Sequence, residues 1–107
     1  MPTAQVFPFP VAETWPREIA GRTMATYHEW MKAVCLVSLS GCPALAAPAG
    51  FGAQGLPMGI QIIAPVNRDV DCLTLALAHE AATGWFRRRP PPILAAPVGS
   101  GSEKPNA

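Results

Sequence analysis

Residues Gly41–Pro65 read GCPALAAPAGFGAQGLPMGIQIIAP, inside a run from Ala33 to Asn67 that contains no charged side chain. A stretch this apolar belongs in an interior, of protein or of lipid. Pro43, Pro48, Pro57 and Pro65, with Gly50, Gly52, Gly55 and Gly59, interrupt it too often for a membrane helix. The punctuation instead predicts two extended segments, Pro43–Ala49 and Leu56–Ala64, joined by a glycine-rich turn at Gly50–Gly55. In the second segment Leu56, Met58, Ile60, Ile62 and Ala64 share one face, and Pro57, Gly59, Gln61, Ile63 and Pro65 share the other. Neither face is charged, which predicts a strand covered on both sides, as in the middle of a large sheet.

Outward from this hairpin the pattern turns helical. Met24, Tyr27 or His28, Met31 and Cys35 recur at spacings of three and four, predicting a helix whose firm part is Thr23–Val37, with Thr23 as cap. After the strands, Asn67 or Asp69 caps a last helix with the apolar stripe Val70, Leu73, Leu77 and Ala81, and Gly84 ends it. The prolines at 2, 8, 10 and 16 exclude a continuous helix at the start, where Gln5–Phe9 is the candidate third strand. The class is α/β, with two to three strands and two helices. Residues 1–86 form the structural part and 87–107, beginning Arg87-Arg88-Arg89-Pro90-Pro91-Pro92, read as a disordered, proline-rich tail.

Composition narrows the partners. Eight basic against seven acidic side chains in 107 residues leave a net charge of +1, which supports neither a nucleic-acid nor a membrane partner. Cys35, Cys42 and Cys72 lie in apolar sequence without metal-ligand spacing and read as reduced, buried thiols of a cytoplasmic protein. No metal or cofactor is implied. His79-Glu80 opens like a zinc-protease helix, but Thr83 stands where the second histidine belongs, so the pair reads as polar residues on an exposed face. Ser38 or Ser40 with Lys32 lacks an adjoining glycine-rich oxyanion loop and reads as capping serines and a surface lysine. Gln61, an amide on a strand, reads as a stitch between neighbouring segments.

Several separate pieces occur in a familiar order: Pro8-Phe9-Pro10, Trp15-Pro16, Thr26-Tyr27-His28-x-Trp30-Met31, Gly41-x-Pro43-Ala44, Pro48-x-Gly50-Phe51 and Gly55-Leu56-Pro57-x-Gly59-x-Gln61. Over roughly residues 2–92 the chain resembles the C-terminal part of the amidase signature family. That resemblance implies an amidase-type α/β/α fold on one large mixed sheet. It also implies hydrolysis of carboxylic amides through an acyl-serine. The serine, bridging cis-serine and lysine lie upstream in that family, so no catalytic residue is assigned here. The implied partners are the missing N-terminal part of the fold, a small-molecule amide substrate and, in the parent enzymes, a second copy as homodimer. By the same resemblance Met1 falls beside a strand, and the start reads as a truncation.

The resemblance also places His28, Met31 and Cys35 on the helix that lines the acyl part of the substrate cleft. Their spacing puts them on one helical face. That face either lines the cleft or packs into the core. Three functional hypotheses follow: a truncated amidase, a non-catalytic subunit completing an amidase or amidotransferase in trans, and an unrelated small binding module.

Overall fold

The computed structural model describes residues 1–95. Its centre is the predicted hairpin. With β1 (Glu18–Ile19) and β2 (Arg22–Thr23) preceding it, the hairpin comprises β3 (Ala44–Phe51) and β4 (Pro57–Ile63), antiparallel from the pair Ala44–Ile63 to the pair Phe51–Pro57. A register shift between Pro48 and Gly50 leaves Ala49 as the extra residue of a bulge. The turn closes through the Gly52 amide donating to Leu56 O and the Gly55 amide donating to Gly52 O. The architecture is that of an α/β fragment: two small antiparallel sheets with helices before and after them.

The helix α2 (Asp69–Thr83) lies on the hairpin, chiefly over β3. Asp69 and Asp71 occupy its first turn, where the free amides and the helix dipole favour them, and Arg68 pairs with Asp71 at 2.8 Å. Asn67 is not the cap; it takes a left-handed backbone, φ 64°, in the turn ahead of the helix. Gly84 stops the helix as predicted, with φ 60° and its amide donating to Glu80 O. The face of α2 turned to the sheet differs from the predicted stripe. Cys72 is buried against Ala47, Ile62 and Ala64, with Ala76 partly buried beside it. Val70, Leu73 and Leu77 point outward and are 71%, 54% and 73% exposed. The small side chains sit inward because they let the helix backbone approach the sheet closely. The Cys72 thiol then donates to Pro43 O and Ile62 O at 3.4 and 3.5 Å.

Before the hairpin the structure departs from the predicted helix. Residues 18–23 form the β1–β2 ribbon instead, turning at Ala20 and Gly21, both with positive φ. A two-residue turn of this hand matches the strand twist, and Thr23 is a strand residue rather than a cap. A 3-10 helix at Tyr27–Met31 then leads into α1 (Lys32–Ser40). The Glu29 carboxylate accepts the Ala25 amide at 2.7 Å, and Gln5 bridges the junction by donating to Glu29 O and accepting from the Ala33 amide. Ser40 donates to Val37 O and accepts from the Cys42 amide, so it closes the end of α1.

The third extended segment is Met1–Thr3 rather than Gln5–Phe9. The Thr3 amide donates to Gly59 O, the Gln61 amide donates to Met1 O at 2.6 Å, and Pro2 bridges Ile60. The Gln61 side chain completes the stitch by donating to Pro2 O at 2.9 Å, near the surface rather than deep inside. Since Gly59 and Gln61 turn their backbone groups toward this segment, their partners Pro48 and Ala46 turn theirs to the opposite, free edge of β3. At that edge Pro48 offers no N–H, and its carbonyl accepts from His79 Nε2 at 2.8 Å. His79 therefore serves the sheet edge and does not stand idle on an outer face. Past α2, α3 (Trp85–Arg88) and α4 (Pro92–Ala95) run through the start of the expected tail, and residues 96–107 of that tail lie outside the described ones.

Two substitutions probe this assembly. A β-carbon at Gly59 would lie 2.9 Å from Thr3 Oγ1 and 3.2 Å from Ala47 O. Gly59→Ala is predicted to loosen the N-terminal segment by about 1–3 kcal/mol. Hydrogen exchange would show it as lost protection at Thr3 and Gln61, with Leu45 and Ile62 holding. His79→Ala removes a hydrogen bond of about 1 kcal/mol and is predicted to speed exchange at the bulge residues Ala49 and Gly50, leaving Thr3 unchanged.

Candidate functional site

Two concavities flank the hairpin. The smaller, about 200 Å³, lies between the N-terminal segment and β4, lined by Val6, Phe7, Phe9, Trp30 and Met58 among others. Trp30 enters it from the 3-10 helix and is held by edge-on contacts with Phe9, ring centres 5.6 Å apart, and Tyr27, at 6.0 Å. Its indole N–H is buried without an acceptor among the described residues, enclosed by this aromatic cluster. The larger, about 700 Å³, opens over the turn end of the hairpin. Trp85 reaches it because Gly50 has no side chain: the indole lies 3.2 Å from where a β-carbon would stand, and meets Phe51 edge-on at 5.9 Å.

His28, Met31 and Cys35 lie on the segment between the two sheets but line neither concavity. His28 is exposed and turns its ring edge-on to Tyr27 at 5.7 Å; Met31, the last 3-10 residue, and Cys35, on α1, are half-buried. Three residues make one turn of a 3-10 helix and four slightly overshoot a turn of an α-helix. The three positions therefore keep a common side even though the helix changes type at Met31. Trp30, one residue away, is the member of this segment that reaches a cavity. Sequence reasoning passed over it, and passed over Phe51, Trp85 and Arg89, because their meeting depends on how the chain past Gly84 folds back over the turn. The one readable signal was the adjacency of Trp85 and Phe86 to Arg87–Arg89.

No described helix is long and apolar enough to cross a membrane. No solved structure matches the chain. Similarity is found instead to the large A-type component of glutamyl-tRNA(Gln) amidotransferase in several bacteria. The protein of Ralstonia nicotianae is 49% identical over 53 residues, covering 50% of this chain and 11% of the relative. That of Picosynechococcus sp. is 48% identical over 54 residues, with the same coverage of 50% and 11%. That of Ralstonia pickettii is 36% identical over 83 residues, covering 76% of this chain and 17% of the relative. The chain thus spans between 11% and 17% of the length of these relatives. The Amidase family profile matches residues 1–73, from the N-terminal edge segment through the hairpin and into α2. With more than two thirds of its length matched in this way, the chain belongs to the Amidase family.

Proposed function

We propose that this chain works as the C-terminal wall of an amide-processing protein, completing a sheet whose other strands and whose catalytic serine and lysine come from preceding amidase polypeptide. The observation that carries the reading is the hairpin itself. It falls within the matched residues, yet within the described chain one face is covered by α2 and the other leaves Ala44, Ala46, Pro48 and Ile63 exposed. The outward Val70, Leu73 and Leu77 of α2 tell the same story from the other side. Uncharged surface on both outer sides of a two-layer unit is the pattern of a slab that meets further layers. In that assembly the chain contributes scaffold and cleft lining, and the reaction is hydrolysis of a carboxylic amide through an acyl-serine.

A second reading, a role inside a multi-component amidotransferase, draws on the name that the relatives carry. Co-expressing the chain with the preceding amidase region tests both. The expected result is a soluble complex that hydrolyses carboxamides while neither piece does so alone. Hydrolysis by this chain alone would overturn the proposal. Amide transfer to a glutamyl-tRNA acceptor, without turnover of simple carboxamides, would select the second reading.

His28, Met31 and Cys35 are the residues proposed to line the acyl side of that cleft. A thioether and a thiol are polarizable and suit an apolar acyl or aryl group. In the assembled protein Met31→Trp is predicted to shorten the accepted acyl chain, with kcat/KM for the longest members of a chain-length series falling at least about tenfold, the effect of some 1.4 kcal/mol. An unchanged series would assign Met31 to packing.

A further inference from the structure

The larger concavity is a built site with its own chemistry. Its volume, about 700 Å³, lies in the range of small-molecule pockets, roughly 300–1,000 Å³. Pro48, Phe51, Met58 and Trp85 form an apolar lining, and Arg89 is the charged residue among its walls. The Arg89 guanidinium lies 4.2 Å from the centre of the Phe51 ring, held by the cation–π attraction. It passes 3.2 Å from the place a β-carbon of Gly55 would occupy, so the glycine makes room for it. Arg88 lies over Trp85 at 5.8 Å and adds charge of the same sign. Among the described residues the ion pair is Arg68 with Asp71, and no acidic side chain lines the cavity. The Arg89 side chain makes no hydrogen bond there either, so its donors are open.

We propose that this cavity binds an apolar monocarboxylate of aryl-alkyl or medium-chain acyl type. The Arg89 fork takes the carboxylate, and Phe51, Trp85 and Met58 enclose the body. A planar guanidinium already fixed on an aromatic ring matches a carboxylate by two parallel hydrogen bonds. A neutral amide or alcohol of the same shape offers no charge to pair, so the site discriminates acid from amide. The proposal stands on the cavity and does not require the amidase reading.

The test is calorimetric titration of the full-length chain with 4-phenylbutyrate, 4-phenylbutyramide and acetate, alongside nitrogen-15 spectra that follow the Trp85 indole. Saturable binding of 4-phenylbutyrate that shifts the Trp85 indole, at least about fivefold tighter than the amide or acetate, is expected. Arg89→Gln should weaken the acid about five- to tenfold and leave the amide unchanged, while Arg89→Lys falls between and Arg22→Gln has no effect. Equal affinity for acid and amide, indifference to Arg89→Gln, or no saturable binding overturns the proposal. The co-expression assay uses neither probe, so the two readings fail separately.

Discussion

The close seating of one helix on one hairpin organises this chain. Where α2 meets β3 and β4 the side chains are small: Ala47 and Ala64 from the strands, Cys72 and Ala76 from the helix, with Ile62 filling the space between. Small residues bring the backbones near enough for the Cys72 thiol to reach two strand carbonyls. The same approach delivers His79 to the Pro48 carbonyl and carries Trp85 over Gly50. A bulky residue at Cys72 or Ala47 would lift the helix and lose these contacts together.

Much of this was legible in the order of residues. Prolines and glycines bounded the two strands within a residue or two, and Gly84 ended α2 where a residue without a β-carbon was needed for φ 60°. The faces of α2 were harder to assign. Both of its sides are apolar, with Val70, Leu73 and Leu77 on one and Cys72 and Ala76 on the other, so periodicity alone favours the bulkier stripe. Packing decided for the smaller one. A helix apolar all round signals neighbours on both sides, which accords with a chain spanning 11% to 17% of its relatives.

The region before the hairpin hid more. Ala20 at positive φ is not a residue that announces a turn, and the spacings of three and four between Met24 and Cys35 suit a 3-10 helix leading into an α-helix as well as one continuous helix. Likewise His28, Met31 and Cys35 could be placed on one side by counting, but counting cannot say what that side meets. The Arg89 site had no local pattern to find. Phe51 and Arg89 are brought together only after the hairpin, α2 and the Gly84 stop have all been made.

Pro48 and His79 have a directional consequence. With no amide to offer and its oxygen already taken, Pro48 finishes the sheet along the second half of β3. On the far side, Met1–Thr3 lies against β4 and presents one more strand-like rim. Lateral extension is therefore lopsided: recruits can queue beyond the first three residues, whereas the proline flank is a terminus. A polypeptide that meets this chain has its handedness of approach chosen for it before any side chain is recognised.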